Sequence, residues 1–563
     1  MRVLASEVGS SPYEAAFVRR LTQLLERVER EPAMRGLVLE IDGGLDRSSA
    51  TFTPLAGAQT RAEVLAIQGA AAALVTRLSE FAKPVAAVLG HVVRGPWLEL
   101  ALAAHARVAL SGGLELSLPE ATLGLVPGLG GLVRVAATSG MEHAIELGMF
   151  GRTFDERSAL AAGLVDEVAP REVAAHHAGA AGGAAHRAAQ IAARLRPGRA
   201  RGPQLSWLHP ARAIPGYARV TLRDARSRAR GWPGGESRAA QLVADVLEAF
   251  ALRGAEEAAL VERDAFAERA LSTAARRTLA LDAAIDARLG AARRDRGSAT
   301  RVALLGHGAD AVHTANGLAA VSMLVRLWDG RSPIDEAELV IDARGGGSTE
   351  RGSLDLRALI GRAGPGRVVT TTAVDAPGEV LSLGATPRLY ARRVEELVAR
   401  SEPARASFAR AAALFERHGR AAVLTRAPVA RALLTASLDE ARRLVSEGVP
   451  VDTVERALSE WGFATVAVRT AERAPTRRKH LAEEIQMRCA LAFLSEAHAA
   501  LERGDAASAE DIDLVAVHGA GFPAFRGGPF AWADEIGEHE LKARFAFFER
   551  RHGPRFRPPR TLV

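Results

Sequence analysis

The sequence predicts a multidomain α/β protein with an all-α C-terminal part. Three observations predict it. From Met1 to about Ala184, short apolar runs of buried-strand type alternate with amphipathic helices. Near Thr300 a second strand–helix series opens on a glycine-rich turn. From Thr435 onward the pattern is helical, with glycine at the stops. A length of 563 residues accommodates three or four such domains.

In the first series, Gly36–Ile41 and Pro84–Leu89 read as buried strands. The segment from Lys83 to Arg134 then carries the chemistry. Glu99 lies in Gly90-His-Val-Val-Arg-Gly-Pro-Trp-Leu-Glu-Leu-Ala-Leu, a turn entering a helix. Glu120 lies in Leu118-Pro-Glu-Ala-Thr-Leu-Gly-Leu-Val-Pro-Gly-Leu-Gly-Gly-Leu-Val-Arg, where a glycine-rich turn opens another helix. Helix N-termini offer free N–H groups and the positive dipole end, which suit an oxyanion or a polarised water. Two carboxylates on neighbouring elements can divide general acid and base work.

These two motifs resemble the crotonase (enoyl-CoA hydratase/isomerase) superfamily. There Ala-Leu-Gly-Gly-Gly-x-Glu-Leu-Ala is followed by Pro-Glu-x-x-x-Gly-x-x-Pro-Gly-x-Gly-Gly, and residues 144–170 continue the pattern. The resemblance implies a ββα spiral domain with Glu99 and Glu120 as the catalytic pair. Glu120 would protonate the alpha-carbon side and Glu99 would activate water, with Gly95 and Gly128 positioning the oxyanion and the water. The sequence departs at the family's triple glycine, here Gly95-Pro96-Trp97. By the resemblance the middle residue donates its N–H to the thioester oxygen, and proline has none. Loss of one such donor typically costs about 100–1000-fold in turnover. The nearest second donor loop is Ala56-Gly-Ala-Gln59, after an insertion-like stretch from Asp42 to Pro54.

The region from Ala174 to Gly202 is rich in Ala, Gly, Arg and His. Nothing in it fixes a metal geometry for His176, His177 and His186, and no metal is expected. From Glu236 to Leu289 breakers are few, and Val261–Ala270 reads as a packing helix with mixed charge.

Arg301–Leu305 reads as a strand, and Gly306-His-Gly308-Ala-Asp-Ala311 follows it as G-x-G-x-x-A. Ala319–Trp328 reads as the next strand, ending at Asp329, where a dinucleotide fold places the acid for the adenosine ribose. Glu338–Ala343 reads as a third strand. This part resembles the Rossmann-like NAD domain of 3-hydroxyacyl-CoA dehydrogenases, implying NAD bound by Gly306, Gly308, Ala311 and Asp329. The family's Thr-Asn-Thr-Ser is Thr370-Thr-Thr-Ala here. Tyr390, in Arg388-Leu-Tyr-Ala-Arg-Arg-Val, stands nearest to the catalytic histidine, and the active-site asparagine would fall at Ala430. Tyrosine is no base near neutral pH, so weak NAD binding without hydride transfer is expected.

Thr435–Gly448 reads as a helix, and Ala482-Glu-Glu-Ile starts another. Asp511-Ile-Asp-Leu-Val-Ala-Val-His-Gly-Ala-Gly-Phe-Pro-Ala-Phe-Arg-Gly-Gly-Pro-Phe resembles the last helical domain of multifunctional fatty-acid oxidation proteins. Phe522, Arg526 and Gly527 are read there as packing and turn residues. The expected order is a crotonase-like domain over 1–184, a helical linker over 185–298, a Rossmann-like domain over 299–424 and helical dehydrogenase C-terminal domains over 425–563. The resemblance is to a shortened, divergent fatty-acid oxidation complex alpha subunit acting on acyl-CoA or enoyl-CoA, in a homo- or hetero-oligomer, with a thiolase beta subunit as an implied partner.

Composition bounds the rest. Cys489 is the single cysteine, which excludes an internal disulfide framework and suits a reducing cytoplasm. No uninterrupted apolar run approaches about 18 residues, so no membrane span is expected. The formal charge of +7 favours phosphate-bearing ligands, and no nucleic-acid recognition motif accompanies it. Three functions are open at this point. One is an enoyl-CoA hydratase/isomerase with a defective dehydrogenase half, the reading preferred because both carboxylates are kept. The others are a non-catalytic acyl-CoA-binding scaffold subunit and a working bifunctional hydratase/dehydrogenase.

Overall fold

The computed structural model describes residues 1–8, 11–41, 48–90, 92–111, 114–169, 215–230, 237–289, 301–305, 324–328, 339–342, 368–370, 381–383, 394–417, 420–463 and 480–562. The chain divides into two compact units, 1–280 and 281–563.

Unit 1 is built on strands β1 (Arg2–Leu4), β2 (Leu37–Ile41), β3 (Val85–Leu89), β5 (Ala106–Leu110) and β7 (Glu167–Ala169), ordered β1-β2-β3-β5-β7 and parallel throughout. β2 and β3 are almost wholly buried, as continuous apolar strands of a covered parallel sheet should be. A second, two-stranded parallel sheet pairs β4 (Val92–Arg94) with β6 (Glu115–Ser117). The chain therefore visits the large sheet, then the small one, in two successive passes: β3, β4, helix; then β5, β6, helical turn. That alternation is the expected ββα spiral. Each pass ends at one of the two glutamates.

The described helices of unit 1 are α1 (Ala5–Val8), α2 (Ala15–Arg30), α3 (Ser48–Ala56), α4 (Arg61–Ser79), α5 (Pro96–Leu102), α6 (Gly131–Ser139), α7 (Met141–Gly148), α8 (Glu156–Ala161), α9 (Pro215–Arg230), α10 (Ser237–Arg253) and α11 (Ala255–Ala270), and α12 (Thr273–Leu289) spans the boundary at residue 280. Residues of α9, α10 and α11, including Leu222, Val243 and Phe266, lie in the same core as those of β2, β3 and α5. α4 is the one described helix long and apolar enough to cross a bilayer by length and composition. Its alanines raise its hydropathy without forming an uninterrupted apolar run. Here it packs through Val64, Ala71, Leu74, Val75 and Leu78 and starts at a Thr60/Glu63 capping box.

Unit 2 carries β8 (Arg301–Leu305), β9 (Leu324–Trp328), β10 (Leu339–Asp342), β11 (Val368–Thr370), β12 (Leu381–Leu383), β13 (Val394–Val398) and β14 (Ala421–Thr425) in one seven-stranded sheet. The order is β9-β8-β10-β11-β12-β13-β14, and only the β12–β13 pairing is antiparallel. The order reverses between β8 and β10, the switch point at which doubly wound sheets bind ligands. β8 ends at Leu305, directly before the glycine motif. Gly306, Gly308, Ala311 and Asp329 lie outside the described residues, as do Tyr390 and the three histidines between Ala174 and Gly202.

The helical end of unit 2 comprises α13 (Glu402–Ala406), α14 (Phe408–Arg417), α15 (Val429–Ser446), α16 (Val451–Trp461), α17 (His480–Glu502), α18 (Ala509–Ala520), α19 (Pro529–Ile536) and α20 (Glu538–His552). Phe522 is buried among Trp461, Phe493 and Trp532, edge-on to Trp461 at 5.4 Å between ring centroids. The Arg526 guanidinium lies 4.1 Å from the centre of the Trp461 ring, and Gly527 turns the chain at φ +80°. Both observations give these residues the packing and turning roles read from the sequence. Phe522→Ala should cost about 3–5 kcal/mol of unit 2 stability. Hydrogen exchange should then lose protection in α17 and α18 while β2 and β3 keep theirs; equal loss in both units would contradict the division.

Candidate active site

Glu99 sits on α5, which starts with proline and follows Gly95 at φ +54°. All seven residues of α5 are buried, and Glu99 has no exposed surface. Its carboxylate meets the turn between Pro127 and α6. The N–H groups of Gly128, Leu129 and Gly131 donate to it at 3.4, 2.9 and 2.8 Å. A Cβ on Gly131 would stand 2.6 Å from Glu99 Cγ, so this close approach requires glycine. The remaining amide of the turn, Gly130 N–H, donates to Glu262 Oε1 at 2.7 Å. The turn's carbonyls are fixed as well: Gln68 Nε2 donates to Gly128 O at 2.7 Å, and Arg134 Nη1 to Leu129 O at 2.6 Å.

Glu120 sits on a single 3₁₀ turn, Pro119–Leu123, closed by Gly124 at φ +74°. It is also buried. Among the described residues neither of its carboxyl oxygens has a hydrogen-bond partner. A Cβ on Gly95 would stand 2.9 Å from Glu120 Oε1. Gly95 thus serves by its bareness, letting backbone and carboxyl approach. Its own N–H donates to Ser117 O at 2.9 Å, inside the β4–β6 pairing. This corrects the expectation that the Gly95 amide faces an oxyanion. The other expected donor loop is likewise engaged: Ala58 N–H donates to Leu55 O and Gln59 N–H to Glu63 Oε2. Trp97 does not intrude on the carboxylates. It is a core residue, edge-on to Phe17 at 5.4 Å.

Electrostatics separate the two carboxyls. Burial pushes the Glu120 carboxyl well above the usual carboxylate range, and the Glu99 and Glu262 charges push it further. Burial also raises Glu99, but its three backbone donors and the Arg134 guanidinium act against that rise. Glu262 is pushed up to about 8, chiefly by burial and then by the Glu99 charge. The Tyr13 hydroxyl is raised well above its ordinary value by burial and by the same three carboxyls. The Tyr13 ring also packs in an aromatic cluster, its centroid 6.0 Å from that of Phe52 and 5.5 Å from that of Phe266. Three carboxyls converge here, yet among the described residues no group of His, Cys, Asp or Glu has a metal-binding arrangement.

Glu262 and Phe266 were invisible as site residues in the sequence, where Val261–Ala270 reads as packing. It does pack, and it also supplies a wall of the site. The available signal was positional. Ala258, Glu262, Ala265, Phe266 and Arg269 share one helix face and all are buried. A glutamate and an arginine at apolar positions imply backbone partners, and both have them: Gly130 N–H for Glu262 and Gly124 O for Arg269.

Two parts of the chain match known protein families. The family model "Enoyl-CoA hydratase/isomerase" matches residues 13–195, and "3-hydroxyacyl-CoA dehydrogenase, C-terminal domain" matches residues 485–563. The enoyl-CoA hydratase/isomerase match is a segment of about a third of the chain. Glu99, Glu120 and their turns all lie within it. A fatty acid oxidation complex subunit alpha from Shewanella oneidensis is 32% identical over 163 residues, 28% of this chain and 23% of that protein. The match thus spans about a quarter of that relative. An enoyl-CoA hydratase from Rhodobacter sphaeroides covers 51% of this chain and 86% of its own at 17% identity and a TM-score of 0.36. A hydratase/isomerase family protein from Silicibacter pomeroyi covers 40% and 89% at 24% identity and a TM-score of 0.29.

In unit 2, Ala430 occupies the position expected for the dehydrogenase asparagine. It is buried, and its N–H donates to Glu396 Oε2 at 3.3 Å beside Val429 N–H to Oε1 at 2.6 Å. Burial raises Glu396 to about 7.

The raised carboxyls of the hydratase/isomerase domain make its stability pH-dependent. An acid whose folded pKa exceeds its unfolded value stabilises the fold below the unfolded pKa, and that contribution is lost as pH rises through the folded pKa. For Glu262 the window runs from 4.5 to about 8. Unfolding free energy of unit 1 should fall across this window in wild type, and the fall should be shallower in Glu262→Gln. Parallel stability–pH curves, measured by denaturant titration at successive pH values, would contradict the burial argument.

Proposed function

We propose that this chain hydrates enoyl-CoA thioesters in fatty-acid β-oxidation, through Glu99 as base and Glu120 as acid. The observation that carries the reading is the unequal solvation of two buried carboxyls. Glu99 accepts three backbone N–H groups, which favour its charged form. Glu120 has no hydrogen-bond partner from another residue among the described ones, and burial favours its neutral, proton-bearing form.

The chemistry follows from that division. Glu99 takes a proton from water, and the water oxygen adds to the β-carbon of the conjugated thioester. Electrons pass through the former double bond towards the thioester carbonyl, and Glu120 delivers its proton to the α-carbon. One water is consumed, and a 3-hydroxyacyl thioester is formed. The proton gained by Glu99 must then return to Glu120 before the next turnover. Gly128 N–H, 3.4 Å from Glu99, is the amide with most freedom to shift towards a bound water. The rings of Tyr13, Phe52 and Phe266 form an aromatic cluster in the same buried region.

Glu99→Gln and Glu120→Gln should each lower turnover of a medium-chain enoyl-CoA by about 100-fold or more. Loss of the conjugated thioester absorbance is the readout. Undetectable turnover by wild type would leave the scaffold reading, which Pro96 favours because it removes the usual amide donor. Pro96→Gly restores an N–H at that place and should raise turnover; a folded variant with an unchanged rate would show that the thioester oxygen is held elsewhere.

For the other half, the switch point beside Leu305 fits a dinucleotide, with Gly306 and Gly308 approaching the pyrophosphate and Asp329 accepting from the ribose. NAD there would supply hydride acceptance. The proposal for this chain is binding without transfer, because the sequence has Tyr390 as the nearest counterpart of the histidine that the resemblance implies. Acyl-CoA recognition and assembly with a thiolase-type subunit are part of the same reading.

A further inference from the structure

We propose that Glu262 is a third working carboxyl of this site, a positioning residue that holds the Gly128–Gly131 turn and tunes the proton on Glu120. The inference rests on the hydratase reading and deepens it.

Geometry comes first. The four consecutive amides of the turn are shared between two carboxyls from distant parts of the chain. Glu99 takes those of Gly128, Leu129 and Gly131, and Glu262 takes that of Gly130. Gly130 has φ +79°, so its N–H points away from its neighbours and needs its own acceptor. Without Glu262 that donor is orphaned in a buried place, and the turn that presents three donors to Glu99 loses a support. α11 is held at this register by further contacts: Arg269 Nε donates to Gly124 O at 2.9 Å, and Phe266 packs on Gly128.

The second observation is an open valence. Glu262 is 3% exposed, and its Oε2 has no partner among the described residues. Both oxygens of Glu120 are in the same condition. A purely structural cap would have no need of a buried, free carboxyl lobe beside a second one. The groups facing Glu262 are Glu99 on α5, Glu120 on the 3₁₀ turn, Tyr13 before α2 and Arg134 on α6. Three carboxyls and one guanidinium cannot all be ionised here without a surplus of negative charge. Ionisation of Glu262 therefore makes Glu120 a weaker acid, and neutral Glu262 makes it a stronger one. The rate's alkaline limb reports the Glu120 proton, so Glu262 shifts that limb.

The test uses the full chain with Glu262→Ala and Glu262→Gln. Alanine removes the acceptor for Gly130 N–H. It should lower kcat by up to about 100-fold, the scale of a catalytic group misplaced by about 1 Å, with little change in KM. Glutamine keeps an acceptor oxygen and loses only the charge. It should recover most of kcat and move the alkaline limb to lower pH. A merely structural role predicts loss without a shifted limb. Infrared titration of the protonated carboxyl stretch reads the same coupling without turnover. One carboxyl should vanish in Glu262→Gln, and the remaining high-pH carboxyl should titrate at lower pH than in wild type. Unshifted titration in folded Glu262→Gln overturns the proposal. If wild type does not hydrate any enoyl-CoA, the functional reading fails, and the infrared shift alone still decides whether the three carboxyls are one site.

Discussion

The turn from Gly128 to Gly131 is the constraint on which the site depends. Four successive backbone amides are turned inward, and buried charge exists only because they are there. An isolated carboxylate in an apolar interior is prohibitively costly, whereas one that accepts several N–H bonds is not. The glycines follow from this. Gly131 must have no Cβ because Glu99 lies against it, and Gly130 adopts the left-handed region so that its amide points elsewhere. The remaining contacts lock the turn from behind. Gln68 on α4 and Arg134 on α6 take up its carbonyls, so the amides cannot swing away. α4, α5, α6 and α11 are all tied to four residues.

This explains why the domain's active region does not end with its last described strand. β7 ends at Ala169, but the acceptor for Gly130 arrives on α11, nearly a hundred residues later. The helices after β7 complete the core rather than link two finished bodies. Leu222, Val243 and Phe266 share that core with Leu89 and Leu98. A fragment stopped at β7 would expose the faces that α10 and α11 cover. It would also leave Gly130 N–H without its acceptor.

Much of this was legible in the sequence, for physical reasons. The parallel strands are continuous apolar runs, so Leu37–Ile41, Val85–Leu89 and Arg301–Leu305 stood out with nearly their observed limits. Glu99 and Glu120 stood out because each belongs to a short local motif. Gly95 was read in the sequence as positioning the oxyanion, and its surroundings give it a different task. Its amide belongs to the β4–β6 ladder, and the glycine serves the close approach of Glu120. Pairing between strands is a long-range fact that a local motif does not contain. Glu262 illustrates the same limit. Within its helix it is one charge among several, and only its place on the buried face distinguishes it from solvated Glu256 and Glu257. Trp97 puts bulk where the resemblance implies a bare glycine. Burial shows that it faces Phe17 and the core instead.

The two halves of the site differ in a way that bears on what the enclosed state represents. Glu99 is fully served by the protein, so it needs no ligand to be stable. Glu120 and the free lobe of Glu262 are not: buried polar atoms without partners cost free energy, and native structures retain them chiefly where function uses them. Burial, and after it the charges of Glu99 and Glu262, favour the neutral form of Glu120. A thioester bound here would bring an α-carbon to accept the Glu120 proton and a carbonyl in need of donors. Pro96 removes the amide by which the family meets the second need, and the N–H groups of Gly95, Ala58 and Gln59 are already bonded. In the proposed reading, the thioester oxygen therefore needs a donor other than these three amides.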